Sequence, residues 1–369
     1  MYIFYPFPFI SQVNVKSLVP GEDGTVDMVL RLNLQDLLSS IESSVFNNGE
    51  ATSNAIPADP GFAYENADFC KSHTNLRYII YVHTSPANVE RRENLRKTWA
   101  NPDLFMDGRT KVVFMLGLAE DAKSKEIIQN EIATYGDIVQ GDFIDEYNNL
   151  TTKGIFGLKW LTYHCANAEY AIKADDDAFV NPFKLMRLLN RYHDQKRLVA
   201  CPLWKDHSMP ILRDPKKCMK WCVKYNEFPG KNYFPKYCAG LSFTLSRDII
   251  PDMYHAAAST PFFWIDDVYV TGLLLGKTKN VEYIDLLKNF TLKEKLAVEQ
   301  YTNYTLEETF YFSHIRQAEN MDVMWRATLQ RLPGEELYEL SPSVYEYDRS
   351  LVSKVDAYKE RLSRRRPAR

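Results

Sequence analysis

Three short apolar runs stand out from the polar background of this chain: Tyr78-Ile79-Ile80-Tyr81-Val82, Lys111-Val112-Val113-Phe114-Met115-Leu116-Gly117 and Tyr170-Ala171-Ile172-Lys173-Ala174. Each has the length and composition of a buried strand. Helical stretches separate them, one around Arg91 to Trp99 and another from Asp121 to about Thr134. Leu158, Leu161 and Cys165 recur at helical spacing, with Asn149 or Thr151 able to cap the start. A further helix is expected from Pro182 to Tyr192. Strands alternating with helices predict an α/β fold whose central sheet is mostly parallel and flanked by helices.

The flanking segments read differently. Residues 1–72 are expected to form a leader or stem, with a turn at Gly21-Glu22-Asp23-Gly24, a helix over Val26 to Val45 and a polar stretch from Asn47 to Asp59. Residues 73–330 make the main body, and residues 331–369 a C-terminal extension. That extension ends in a basic tail, with Arg361, Arg364, Arg365, Arg366 and Arg369 taken as a solvated terminus. Residues 201–240 look like aromatic and proline-rich loops, and Ile265-Asp266-Asp267-Val268 leads into an apolar helix.

The third apolar run ends in Asp175-Asp176-Asp177. Adjacent carboxylates repel, and an uncompensated one is costly to desolvate, so a strand carrying them outward calls for a cation. In extended chain, residues i and i+2 share a side, which lets Asp175 and Asp177 face one hard cation together. Mg²⁺ and Mn²⁺ bind through one or two carboxylates while holding substrate phosphates. The plainer alternative is a solvated acidic turn. The triplet lies at the carboxyl end of a strand, where open α/β sheets bind their ligands.

Composition narrows the function further. A formal charge of −3 and a pI near 6.2 argue against nucleic-acid binding by bulk electrostatics. Aromatics make up 13% of the chain, which suits a site that stacks on sugars, although core packing accounts for most of them. Cys70, Cys165, Cys201, Cys218, Cys222 and Cys238 allow up to three bridges, and the last four cluster closely enough to favour a local disulfide pair over a zinc site. Asn149, Asn289 and Asn303 head Asn-x-Thr triplets compatible with a lumenal compartment. The apolar start, Met1 to Ile10, is broken by Pro6 and Pro8 and has no basic residue before it, so it reads neither as a spanning helix nor as a signal peptide.

Six motifs in one order then resemble the family of inverting β-1,3-glycosyltransferases that take galactose, N-acetylglucosamine or N-acetylgalactosamine from a UDP-sugar. They begin with Arg91-Arg92-Glu93-Asn94-Leu95-Arg96-Lys97-Thr98-Trp99 and continue with Gly136-Asp137-Ile138, through Asp142-Phe143, Asp145 and Tyr147, to Asn149-Leu150-Thr151-Thr152-Lys153. Next come the Asp triplet in its Lys173 to Val180 setting, Phe234-Pro235-Lys236-Tyr237-Cys238-Ala239-Gly240 and Asp266-Asp267-Val268-Tyr269-Val270. His314 with Met321 and Trp325 closes the series. Asp266 stands where the family has Glu, Phe234 where it has Tyr, and Gly272 comes one residue late, after Thr271. The family's N-terminal membrane anchor is not visible.

The resemblance implies a GT-A-like nucleotide-sugar-binding fold, a Mn²⁺ (or Mg²⁺) cofactor, and a Golgi membrane enzyme with a lumenal catalytic domain. Its partners would be a UDP-sugar donor and a glycan acceptor on lipid or protein. It implies metal binding by Asp175, Asp177 and His314, and donor contacts from Thr84, Arg92, Arg96, Lys153 and Asp176. Asp267 would be the general base, with Asp266, Trp221, Tyr233 and Tyr237 on the acceptor side. Plainer roles stand beside these: Arg92 and Arg96 pairing with carboxylates, Asp267 capping the helix at Val268, and the aromatics packing. The rival functions are an inactive relative serving as a chaperone or glycan binder, and a nucleotidyltransferase, for which no Gly-rich phosphate loop is evident.

Overall fold

The computed structural model describes residues 59–365. The helix expected over Val26 to Val45 lies outside the described residues, as do Arg366 and Arg369. The strands of the main sheet are β1 (Phe62–Tyr64), β2 (Tyr78–His83), β3 (Thr110–Leu118), β4 (Ile138–Ile144), β5 (Tyr170–Asp175), β7 (Leu198–Cys201), β10 (Ser242–Ser246) and β11 (Glu282–Asp285). Their order across the sheet is β1-β4-β3-β2-β5-β10-β7-β11. All run one way except β1 and β10, which pair antiparallel with their neighbours. A three-stranded sheet adds β6 (Ala178–Val180), β12 (Phe290–Thr291) and β13 (Phe312–His314), and a small ribbon pairs β8 (Leu203–Trp204) with β9 (Tyr237–Cys238).

The principal helices are α1 (Val89–Lys97), α2 (Ala122–Tyr135), α3 (Leu150–His164), α4 (Pro182–Asn190), α5 (Ile250–Ala256), α6 (Glu294–Asn303), α7 (Ala318–Arg331) and α8 (Arg349–Arg365). Every residue of β2 is buried, because helices cover both faces of the sheet. Tyr78, Ile80 and Val82 pack into one core with Trp99, Phe183 and Trp325, while Ile79 and Tyr81 join Phe156, Trp160 and Met253 in the other. The predicted α/β class with a mostly parallel sheet is the observed one.

Two boundaries move. β1 pairs with β4, and Cys70 is bonded to Cys165, so residues from 59 onward belong to the body rather than to a leader ending at 72. At the other end Leu337, Leu340, Val344, Leu351 and Val355 are buried in the first core, so the C-terminal extension is part of the body as well. Only the end of α8 keeps the solvated character expected of it, with Arg361 and Arg364 exposed. All six cysteines are paired, Cys70 with Cys165, Cys201 with Cys238 and Cys218 with Cys222. No described helix is long and apolar enough to cross a membrane.

Candidate active site

The Asp triplet straddles a switch between sheets. β5 ends at Asp175, the chain turns through Asp176 and Asp177, and it resumes as β6 in the three-stranded sheet. The chain turns there instead of running straight on, and Asp175 still feels the charge of Asp177 beside it. Each carboxylate has its own partners. Asp175 Oδ1 accepts from Lys173 Nζ at 2.5 Å. Asp176 is 7% exposed and accepts from Thr84 Oγ1, Asn88 Nδ2 and Arg91 NH1, each at 2.7 Å, which makes it anything but a solvated turn residue. Asp177 Oδ2 lies 3.2 Å from His314 Nε2 and 3.5 Å from Arg91 NH1.

His314 arrives there through strand pairing, since β13 runs antiparallel to β6 with His314 opposite Ala178. Burial alone would raise the Asp177 carboxyl, but His314, Arg91 and Lys173 outweigh it and hold it below its ordinary value. The Asp177 hydrogen bond in turn raises the His314 imidazole, against the opposing effect of burial. Asp175 goes the other way: burial pushes it up to about 6, with Lys173 pulling down.

Among the described residues, no three His, Cys, Asp or Glu side chains form a ready metal cage. The expected trio of Asp175, Asp177 and His314 therefore reduces to a pair, because Asp175 is taken up by Lys173. Asp177 and His314 present one carboxylate and one imidazole, both partly exposed. That donor set fits a divalent ion which completes its shell with water and phosphate oxygens.

Most of the cations expected on the donor side are buried in structural pairs. Arg92 is fully buried; it bonds Glu131 at 2.6 and 3.0 Å and the carbonyls of Ser85 and Pro86. Arg96 is pinned by Asp137 at 2.8 Å and stacked on Tyr135. Lys153 is buried and bonds Asp145 Oδ1 and the Thr84 carbonyl, both at 2.7 Å. These three residues hold the 84–86 segment, α2 and the β4–α3 connection together, so in this structure their charges face protein carboxylates and carbonyls. Thr84 itself is buried, its hydroxyl spent on Asp176. Arg91, 40% exposed and paired with Asp176 and Asp177, is the solvent-facing cation among the described residues at the triplet, where its neighbour Arg92 was expected. Successive helical residues point about 100° apart, so burying Arg92 turns Arg91 toward the triplet.

Asp267 of the second acidic cluster lines a cavity of about 290 Å³ together with Trp204, Trp221, Tyr237, Gly240 and Leu292. Tyr233 is not part of it and faces a neighbouring crevice beside His207. Tyr237 is buried and lines the wall, whereas Trp221 is 47% exposed in the loop closed by the Cys218–Cys222 bridge. Asp267 heads a π-helical segment, Val268–Leu274, and its side chain accepts from the Val268 N–H at 2.8 Å. That bond reaches only the next residue, and Asp266 and Asp267 already have helical backbone, so the contact differs from a cap that accepts from the second or third N–H. Burial and the adjacent charge of Asp266 push its carboxyl up to about 7. Asp266 is half-buried and directs its charge at Lys173 and Asp267.

This constellation sits in a sheet of the expected class, and residues 90–286 match the Galactosyltransferase family model over just over half of the chain. The chain belongs to that family. It is 35% identical over 212 residues to the pig (Sus scrofa) UDP-GalNAc:beta-1,3-N-acetylgalactosaminyltransferase 1, covering 56% of this chain and 62% of that protein. The human (Homo sapiens) protein of the same name is 34% identical over the same shares. Mouse (Mus musculus) Beta-1,3-galactosyltransferase 5 is 32% identical over 201 residues, 54% of this chain and 63% of that one. The chain thus spans less than two thirds of the length of these relatives. A solved galactosyltransferase with donor and acceptor sugar analogs has a TM-score of 0.34 at 12% identity, covering 68% of this chain and 95% of that one, too slight a likeness to carry an argument.

Proposed function

We propose that this chain is an inverting β-1,3-hexosyltransferase that depends on a divalent metal. It moves a hexose from a UDP-sugar to a glycan acceptor on lipid or protein. Galactose and N-acetylgalactosamine are the donors named for its relatives, and N-acetylglucosamine is the third the motifs allow. The observation that carries the reading is Asp267, a carboxyl raised to about 7 on the wall of a cavity. A base with its pKa near the working pH is ionised often enough to act and basic enough to take the proton.

In this reading Asp267 accepts the proton of the attacking acceptor hydroxyl, while Trp221 and Tyr237 offer apolar faces to the acceptor. Asp177 and His314 would hold Mn²⁺ or Mg²⁺, which would supply positive charge against the departing UDP. Arg91 adds a fixed positive charge on that side, oriented by Asp176. Thr84 and Asn88 share the Asp176 carboxylate and so fix its direction. The same reading puts the enzyme in the Golgi lumen at the membrane, and three disulfides suit such an oxidising compartment.

The test is transfer from UDP-galactose, UDP-N-acetylgalactosamine and UDP-N-acetylglucosamine to an array of oligosaccharides, with Mn²⁺ and with chelator. Product should carry a new β-1,3 linkage and form with the metal alone. A folded, Mn²⁺-supplied protein that transfers none of the three sugars would overturn the reading.

A further inference from the structure

Lys173 sits between the two acidic clusters, 2% exposed, on the sheet face that also carries Tyr81. A buried ammonium is stable only when it is fully paired. Its Nζ donates to Asp175 Oδ1 and to the Gly240 carbonyl, both at 2.5 Å. Gly240 in turn touches the second cluster: a Cβ added there would lie 3.1 Å from Asp267 Cβ and 3.4 Å from its Oδ2. One continuous chain of contacts therefore runs Asp175, Lys173, Gly240, Asp267.

We propose that Lys173 is a positioning residue that joins the two acidic clusters, holding the Gly240 backbone against Asp267 and supplying the positive charge that lets Asp267 work as a base. The proposal rests on Asp267 being that base. The charged and titratable groups facing Asp267 are Asp266 beside it, Lys173 from β5 and Tyr237 from β9, with the Val268 N–H donating to it and the Gly240 backbone packed close by. Lys173 is the cation among them. Burial opposes its charge, but Asp175, Asp266 and Asp267 more than offset that, so it stays an ammonium. In so dry a setting its field is poorly screened. Asp175 and Asp267 compete for it, which makes the ionisation of the base depend on a carboxylate in the other cluster.

The competition predicts opposite shifts from two substitutions. Lys173→Met removes the charge, so the acid limb of kcat/KM against pH should move up by about half to one unit. Asp175→Asn leaves the lysine paired to a neutral oxygen and frees its charge for Asp267, so the limb should move down. A role in packing alone would lower the rate at every pH without moving the limb. Wild type and Asp267→Asn are run alongside, with UDP-galactose or UDP-N-acetylgalactosamine and an acceptor that wild type uses. A limb that persists in Asp267→Asn would overturn the base assignment and the proposal together. A limb that vanishes there yet stays put in both other variants would overturn the proposal and leave the base assignment standing. If Lys173→Met does not fold, Lys173→Gln takes its place: an upward shift upholds the proposal and an unmoved limb overturns it.

Discussion

The Cys238 N–H donates to Thr271 Oγ1 at 2.9 Å, and that hydroxyl donates onward to the Asp267 carbonyl at 2.7 Å. One buried side chain thus fastens the start of the π-helical segment to β9, the strand bridged to β7 through Cys201–Cys238. Thr271 is also the residue that sets Gly272 one place late in its motif. A π turn takes up a residue that an α-helix has no room for.

Thr271→Val keeps the shape and removes the hydroxyl, leaving the buried Cys238 N–H without a partner. The protein should lose about 1–3 kcal/mol of stability by denaturant unfolding with disulfides intact, while Thr271→Ser keeps most of it. A Val variant as stable as wild type would show that the contact contributes nothing.

Asp267→Asn should cut turnover by at least about a hundredfold, the size of a general-base contribution, with donor affinity kept. Its stability has a definite sign. The folded carboxyl is raised to about 7 from an ordinary value of 3.8, so between those pH values the folded state holds a proton that the unfolded state has released. Stability from this group is full below the unfolded value and is lost as pH rises through about 7. Asparagine removes that loss and still accepts from the Val268 N–H. The melting temperature of the variant relative to wild type should therefore climb from pH 4 to pH 8, and a flat difference would contradict the buried-carboxylate picture.

Chelation should abolish transfer and Mn²⁺ should restore it. Asp177→Ala and His314→Ala should each raise the Mn²⁺ concentration for half-maximal rate by roughly 10- to 100-fold without unfolding the protein. Titrating rate against Mn²⁺ measures this directly, and chelator-resistant activity would remove the metal from the scheme.

Arg91 and Arg92, neighbours in sequence, should fail in different ways. Arg92→Met leaves the buried Glu131 with Arg96 alone and takes the donor from the Ser85 and Pro86 carbonyls, and should cost up to about 3–5 kcal/mol of stability. Arg91→Met removes the cation paired with the buried Asp176, whose bonds from Thr84 and Asn88 remain, so melting should fall less than in Arg92→Met while the KM for the UDP-sugar rises. Thermal melts and donor kinetics on the two variants separate the roles.

Asn303 closes the exposed end of α6, whereas the Asn149 amide is already bonded to the Ile144 carbonyl. Passage through a lumenal compartment should therefore leave a glycan on Asn303, seen as a mobility shift lost in Asn303→Gln. Native protein with reduced cysteines and no glycan would exclude that compartment.

The local pattern was enough to find β2, β3, β5 and the helices between them, because a strand buried on both faces or a helix with one apolar side writes its period into adjacent residues. It did not reveal β10, whose Ser-Phe-Thr-Leu-Ser alternation looks half-exposed although every residue is buried. Ser242 there spends its hydroxyl on the Lys173 carbonyl, a partner 69 residues away. The order of motifs likewise identified the family and put Asp177, His314 and Asp267 on the page.

What the sequence could not decide was direction and partnership. Which of Arg91 and Arg92 faces the triplet depends on Glu131, and which partner each carboxylate of the triplet takes depends on the chain turning into a second sheet. The link from Lys173 to Gly240 joins residues 67 apart. Periodicity reports how much of each residue is buried, whereas charge pairing in a buried site is settled by contacts between segments that meet only when the sheet closes.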